Sequence, residues 1–243
     1  MSGHSKWANI QHRKNAQDAR RGRVFTRLVR EVATAARVGG GDPDANPRLR
    51  LALERANAAN VPKDNLERAI KRATGDAEGQ ELAEITYEGY APGGVAVLVE
   101  CITDNRNRTV AEVRHAFSRH GGNLGADGSV AYLFNRVGRV LLSPDNEEER
   151  VLEAALEAGA EDVVRDDEKN FEVLTDPNDL ESVRDVLRRK GLKDEDSGLD
   201  MRPATRVAVD EEGAESLLKL LDTLDDLDDT QQVYANAQFP GEV

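Results

Sequence analysis

The sequence predicts an α+β protein in which a small N-terminal helical domain precedes two mixed α/β (ferredoxin-like) domains, the third inserted into the second. Three observations carry this prediction. Up to Thr74, apolar residues recur every three or four positions, which is the period of an amphipathic helix. From Glu84 onward, short alternating or continuous apolar runs are typical of strands. Between residues 137 and 204 the predicted elements follow the order βαββαβ, which is the ferredoxin-like unit.

The helical domain is predicted to hold three short helices, each apolar on one side and basic on the other. The first ends at the three glycines 39–41, because consecutive glycines and a nearby proline stop a helix. Asn46 caps the second, which has a proline in its first turn. The third covers about residues 63–74 and ends at Gly75.

The remainder is predicted to form two sheets. Strands at 85–90 and 95–102 make a hairpin, and a helix capped by Asp104 or Asn105 follows it. A strand at 130–135 precedes a new one that begins at Gly138. The βαββαβ unit consists of a strand at 139–142, a helix at 147–158, strands at 162–165 and 171–174, a helix at 179–189 and a strand at about 199–205. A helix at 211–227 and a strand at 232–239 complete the first sheet. The predicted domains are residues 1–79, residues 80–136 plus 205–243, and residues 137–204.

Charge is unevenly distributed along the 243 residues, whose formal net charge is −13. Residues 1–76 hold 16 Lys and Arg against 8 Asp and Glu, a net charge of +8, and the remaining 167 residues hold 17 against 38, a net charge of −21. A basic segment on an acidic body indicates a surface for a polyanion, because the charge of one face matters more than the average.

Four arginines of the first helix are predicted to form one solvent-facing row. At 100° per residue they lie opposite an apolar stripe formed by Phe25, Leu28, Val29, Val32 and Ala36. The arginine row consists of Arg20, Arg23, Arg27 and Arg30. Such a row can follow a phosphate backbone, and the alternative is an ordinary solvated helix face.

The candidate nucleic-acid-binding residues are Lys6, Trp7, Arg13, Lys14, Arg20, Arg21, Arg23, Arg27, Arg30, Arg48, Arg50, Arg55, Arg106 and Arg108. Trp7 either stacks on a base or pins its segment to the helical domain. Arg106 and Arg108 either brace a loop or make a secondary ligand contact.

Several other chemistries are excluded or disfavoured. No apolar run is long enough to span a membrane and no secretory signal is present, so a cytoplasmic protein is expected. Cys101 is the single cysteine and is expected to be buried, which excludes an intramolecular disulfide and a cysteine-rich zinc cluster. The glycine-rich stretch 121–129 does not match a phosphate-binding loop. The aspartates at 222–229 are expected to be a solvated helix end. We expect no metal, no cofactor and no enzymatic activity.

Long motifs connect the sequence with a known family. GHSKWANIQHRK, FTRLVREVATAAR, GGGDPDANPRLRLALERANAANVPKDNLERAIKR and YEGYAPGGVAVLVECITDNRNRT resemble the YebC (PmpR-type) family across essentially the whole chain. The resemblance implies a basic helical domain followed by two mixed α/β domains. It also implies a DNA-binding transcriptional regulator or, as in other relatives that include a mitochondrial translational activator, a ribosome-associated translation factor.

The function expected from the sequence is regulation of gene expression by nucleic-acid binding. DNA is the first expectation, and ribosomal RNA bound by a translation factor that assists elongation is the alternative. The acidic domains are expected to face away from the nucleic acid or to contact the ribosome or a basic protein. We expect no membrane partner, and a monomer is favoured.

Overall fold

The computed structural model describes residues 18–75, 82–166 and 168–240, with the backbone alone for residues 18–21. It has the predicted α+β fold, with helices first and antiparallel sheets after them. The described residues fall into two compact units. The first combines 18–131 with 215–234, and the second combines 132–214 with 235–240. No helix among these residues is both long and apolar enough to cross a membrane. The three predicted domain ranges stay a prediction.

Three helices form the N-terminal part of the first unit. They are α1 (Asp18–Gly39), α2 (Pro47–Ala58) and α3 (Lys63–Thr74). The predicted apolar stripe of α1 packs into a shared core around Val32 and Leu49, both fully buried. The prediction of an amphipathic α1 is confirmed, because its period places every third or fourth residue against α2 and α3.

Asn46 joins the end of α1 to the start of α2. Its side-chain oxygen accepts a hydrogen bond from the Leu49 amide (3.1 Å), which is the predicted N-cap. Its Nδ2 donates to the carbonyl oxygens of Ala35 and Gly40, each at 2.8 Å. A Cβ on Gly39 would lie 2.6 Å from this Nδ2, so the first of the three glycines leaves room for the Asn46 side chain.

Replacing Asn46 with alanine is expected to lower the free energy of unfolding by about 2 kcal/mol, because the cap is lost together with one buried and one partly buried hydrogen bond. Urea unfolding followed by circular dichroism measures the change. Asn46→Asp keeps the cap acceptor but sets a carboxylate oxygen against the Ala35 and Gly40 carbonyls, so it should not restore wild-type stability. Asn57→Ala changes an exposed residue of α2 and should have little effect. Equal losses for Asn46→Ala and Asn57→Ala would contradict this role.

The first unit also contains a four-stranded sheet. Its order is β3 (Asn123–Leu124), β1 (Ala83–Tyr90), β2 (Ala96–Thr103) and β9 (Thr230–Ala235), and helices α4 (Arg106–Arg119) and α7 (Glu211–Asp225) complete it. β2 is buried along almost its whole length, as its continuous apolar run predicts. The His120 ring lies 2.9 Å from the hydroxyl of Thr223, which links the end of α4 to α7.

The second unit holds the predicted ferredoxin-like sheet. Antiparallel strands β5 (Asp162–Arg165), β6 (Phe171–Thr175), β4 (Phe134–Leu142) and β7 (Asp194–Pro203) lie in that order, with helices α5 (Glu148–Ala158) and α6 (Leu180–Arg189) in the crossovers. A further parallel pair joins β8 (Val207–Ala208) to β10 (Ala237–Gln238).

Strand bounds differ from the prediction at three places. The predicted strand 130–135 is wrong up to residue 133, because Ala131–Leu133 forms a 3-10 helix. β4 begins at Phe134 and continues through Gly138, where a Cβ would lie 2.7 Å from Thr175 Cγ2, so the glycine permits close packing. β7 begins at Asp194 instead of residue 199, because Arg188 and Arg139 pair with Asp194 (2.5 Å) and Asp196 (2.7 Å) in a stretch that lacks apolar alternation.

The predicted last strand, 232–239, is divided into β9 and β10. Asn236 lies between them, and its carbonyl oxygen accepts a hydrogen bond from the Val207 amide at 2.8 Å. Its side chain also donates to the Thr205 carbonyl at 3.3 Å. Both contacts of Asn236 lie within the second unit, which the chain enters at the end of β9.

Candidate nucleic-acid interface

Three members of the arginine row contact an acidic segment that ends α7 and precedes β9. The acidic segment comprises Asp222, Asp225, Asp226, Asp228 and Asp229. Arg23 pairs with Asp226 at 3.1 Å, Arg27 with Asp225 at 3.0 Å and Arg30 with Asp229 at 2.8 Å. Arg27 and Arg30 also donate to the backbone carbonyls of Asp225 and Asp228. α1 is therefore bound to the end of α7 by a ladder of charge-assisted hydrogen bonds.

Asp229 is the centre of this ladder, and its side chain is fully buried. Besides Arg30, it accepts hydrogen bonds from Arg108 (2.6 Å), Thr109 (2.7 Å) and Thr103 (3.0 Å). The four donors come from α1, α4 and the end of β2. One carboxylate thus joins the helical part of this unit to its sheet.

Two aspartates of the segment have pKa values shifted in opposite directions. Burial alone would raise the pKa of Asp229, but its hydrogen bonds from Arg108 and the two threonines, with the charge of Arg30, hold it below its usual range. Burial raises the pKa of Asp225 above its usual range, because Arg27 only partly offsets burial and the nearby carboxylates. Asp229, which accepts more hydrogen bonds than Asp225, is the one whose charged form is favoured.

The prediction that the arginine row faces solvent is wrong for Arg23, Arg27 and Arg30, whose side chains are 32, 17 and 19% exposed. The prediction of a solvated helix end is likewise wrong for Asp225 and Asp229. Helical projection identifies the side of α1 opposite its core, but it does not show what covers that side. The side chain of Arg20 lies outside the described residues.

The other candidates are distributed as follows. Lys6, Trp7, Arg13 and Lys14 lie outside the described residues, as does the side chain of Arg21. Arg48 is held by Glu31 (2.9 Å) and Glu84 (2.7 Å), and Arg50 donates to the Pro43 carbonyl (3.1 Å). Arg55 is half-buried, Arg106 is exposed, and Arg108 braces Asp104 and Asp229. The loop-brace interpretation thus fits Arg108, and its role toward a ligand stays a prediction.

A different set of cations is exposed on the helices. Arg37 lies in the last turn of α1, and Lys71 and Arg72 lie in the last turn of α3. None of the three forms an ion pair with any residue that the structure describes. The two helix ends are close, because a Cβ on Gly41 would lie 3.0 Å from Ile70 Cγ2. The helical period predicts that Lys71 and Arg72 face outward, but it does not show which outward cations lack a carboxylate partner.

An internal carboxylate binds the backbone where the glycine-rich stretch 121–129 ends and the next residues begin. Glu88 on β1 is buried, and it accepts hydrogen bonds from the amides of Gly128, Val130 and Ala131, each at 2.7 Å. Burial would raise the pKa of Glu88, but these three amides lower it. The amides that an anion would require are therefore filled from within the protein, in agreement with the prediction that the stretch is a structural loop.

Cys101 is buried on β2, as predicted. Burial raises the pKa of its thiol to about 12, which keeps the sulfur protonated. In the described part of the chain, no group of three or more His, Cys, Asp and Glu side chains is arranged to hold a metal ion.

Sequence comparison covers nearly the whole chain. The profile described as TACO1/YebC protein N-terminal domain matches residues 5–76, and that described as TACO1/YebC second and third domain matches residues 82–237. A protein of Thioalkalivibrio sulfidiphilus is 60% identical and one of Idiomarina loihiensis 56% identical, each over 100% of this chain and 98% of its own length. Both are named probable transcriptional regulatory proteins.

A solved structure shows the same fold. The crystal structure of a conserved hypothetical protein from Aquifex aeolicus superposes with a TM-score of 0.86 at 48% sequence identity. The match covers 93% of each chain. The helical part and both sheets therefore have a counterpart in a protein of closely similar length.

Proposed function

Since the chain belongs to the TACO1/YebC family, we propose that it is a DNA-binding regulator of gene expression that contacts phosphates through its N-terminal helices. Curated relatives of the same length are named probable transcriptional regulatory proteins, which supports the regulatory part. The basic charge of residues 1–76 supports the polyanion.

The observation that carries the phosphate contact is the exposure of Arg37, Lys71 and Arg72. These side chains end two adjacent helices and have no carboxylate partner in the described ranges. Cations at helix C-termini also interact with the helix dipole, which contributes about 0.3–1 kcal/mol each. That contribution leaves the guanidinium and ammonium groups pointing to solvent, where a phosphate can replace water.

The paired part of the arginine row is assigned a different role. Arg23, Arg27 and Arg30 already bind carboxylates, so a phosphate must displace an internal partner to reach them. In Arg30 that partner is a buried carboxylate with three other donors. We therefore assign these arginines to fixing α1 on its unit, which holds the helix ends in place for the exposed cations.

Changing Arg37, Lys71 and Arg72 together to glutamine is expected to weaken DNA binding and its dependence on salt. Each phosphate contact contributes about 0.9 to the slope of log K against log salt for duplex DNA. The slope should therefore fall in magnitude by about 2.7. Fluorescence anisotropy of a labelled duplex, titrated between about 50 and 200 mM salt, measures it.

The matched control changes Lys169, Arg189 and Lys193 to glutamine. These are exposed cations of the second unit, so the net charge changes equally. An equal loss in both triple variants would show a nonspecific effect of net charge and would contradict the assigned surface. Absence of wild-type binding to DNA would overturn the proposed function.

The ribosomal alternative is tested by sedimentation of cell lysate on a sucrose gradient. Binding to DNA predicts that the protein leaves the ribosomal fractions after nuclease removes DNA. Persistent comigration with ribosomes, together with loss of that comigration in the Arg37, Lys71 and Arg72 variant, would replace DNA by ribosomal RNA as the ligand.

A further inference from the structure

Helix α4 carries a basic outer side within the acidic part of the chain. Its sequence, RNRTVAEVRHAFSR, contains four arginines and one glutamate. Arg106, Arg114, His115 and Arg119 are all exposed. Among the residues described, none of Arg106, Arg114 and Arg119 has an ion-pair partner. The net charge of −21 for residues 77–243 conceals this helix, because all but one of the carboxylates in that range lie outside it.

The geometry of α4 separates a core side from a polar side. Val113, Ala116 and Phe117 are buried, and at 100° per residue they fall within about 100° of one another. The opposite arc, about 140° wide, contains the α4 outer face, which we define as Arg114, His115, Ser118 and Arg119. Every member of this face is exposed.

The arginines of this helix lack the acids of an ordinary solvated face. Solvated helices commonly pair a cation with a carboxylate three or four residues away. Arg114 and Arg119 have none at those positions, and neither has Arg106. Arg108 does have one, and it is the arginine that pairs with Asp104 (3.0 Å) and Asp229 (2.6 Å). One arginine of α4 is thus used in the fold, and three are left to solvent.

Both ends of α4 are fixed to the rest of the unit. At its start, Asn105 caps the helix and Arg108 binds buried Asp229. At its end, the ring of His120 contacts the Thr223 hydroxyl at 2.9 Å. A rigid platform loses less conformational entropy when it binds than a flexible loop does. The 14-residue helix is about 20 Å long, which spans about six base-pair steps of duplex.

We propose that the α4 outer face is a second contact surface for the phosphodiester backbone of DNA, separate from the cations at the ends of α1 and α3. This inference rests on the proposed function in taking the same nucleic acid. Arg114 and Arg119 bind phosphates, while His115 and Ser118 supply further hydrogen-bonding groups between them. Two surfaces on one unit let the protein hold a longer stretch of duplex than its N-terminal helices alone.

The test changes Arg114 and Arg119 to glutamine and measures anisotropy of the same labelled duplex. The slope of log K against log salt should fall in magnitude by about 1.8, which is two phosphate contacts. Arg114→Lys with Arg119→Lys keeps both charges and should restore the slope. Arg189→Gln with Lys193→Gln is the matched control and should leave it unchanged. Circular dichroism should show wild-type folding for all of them.

The outcomes separate this inference from the proposed function. Absence of wild-type binding removes the proposed function and this inference with it. Wild-type binding with an unchanged slope in the Arg114 and Arg119 glutamine variant overturns the second surface and leaves the first. Weaker binding at an unchanged slope would also overturn it, because a lost phosphate contact must change the salt dependence. Loss confined to a hairpin RNA, with duplex DNA binding intact, overturns the assignment to DNA.

Discussion

Replacing Asp229 with alanine is expected to lower the free energy of unfolding by about 3 kcal/mol. Removing one partner from a buried ion pair typically costs about 3–5 kcal/mol, and we take the lower value because Arg108 is partly exposed and regains water. The buried hydroxyls of Thr103 and Thr109 lose the acceptor that they share. Urea unfolding, with hydrogen exchange of the α4 and β2 amides, measures the loss and locates it.

Asp228→Ala is the matched control for this change. Asp228 is exposed and next to Asp229, and Arg30 contacts its backbone carbonyl rather than its carboxylate. The two variants therefore change net charge equally and differ in the hydrogen bonds that they remove. Similar stability of the Asp228 and Asp229 variants would contradict the view that this carboxylate joins α1 to the sheet.

The stabilisation by Asp229 should depend on pH in a stated direction. Its pKa is lowered in the folded protein, so the stabilisation is complete above the unfolded value of about 4 and is lost as pH falls through the folded value. The difference in stability between wild type and Asp229→Ala should therefore narrow below about pH 4. Asp225, whose pKa is raised, changes the stability with pH in the opposite direction. Because Asp225 is present in both proteins, its contribution cancels in the difference between them.

The local elements of the fold were predictable because their patterns repeat over short distances. Val32 and Ala36 are four residues apart on α1, and the period that relates them is visible without a partner. The βαββαβ order follows in the same way, since each element carries its own pattern. The start of β7 was missed because Asp194 and Asp196 are held there by arginines from other elements, which no local pattern shows.

The partners of the arginine row were not predictable from periodicity. Arg27 and Asp225 are 198 residues apart, and their pairing exists only once α7 is placed beside α1. The basic row and the acidic segment were each visible in the sequence, but as separate features. A basic row and an acidic segment in one chain together indicate neutralisation within the chain, which helical projection does not test.

The basic side of α4 was available from the sequence. Arg114 and Arg119 stand in a predicted helix whose inward residues include Val113 and Phe117. Averaging charge over residues 77–243 concealed them, because one basic helix is outweighed by the acids around it. The charge of each predicted element taken separately shows that this helix is basic. That three of its arginines form no ion pair among the described residues is visible only in the structure.

Glu88 provides the second large expected effect, because one carboxylate satisfies three backbone amides at the end of the glycine-rich stretch and directly after it. A glutamine amide group cannot accept from all three, since half of it is a donor. Glu88→Gln should leave at least one of the three amides without its acceptor and remove the stronger bonds that a charged acceptor makes. The expected decrease in the free energy of unfolding is about 3 kcal/mol. Hydrogen exchange at Gly128, Val130 and Ala131 should accelerate along with it.

Glu84→Gln is the control, because Glu84 lies on the same strand but is 49% exposed and pairs with Arg48 at the surface. Such a pair contributes about 1 kcal/mol or less. A further readout separates the loop contact from general destabilisation. In Glu88→Ala the three amides lose their acceptor and can bind an anion instead. Added sulfate should therefore recover part of the lost stability and slow hydrogen exchange at the same amides. Glu84→Ala is the control for the sulfate experiment. Equal effects of sulfate on Glu84→Ala and Glu88→Ala would contradict this account, since only Glu88 fills an anion-binding turn.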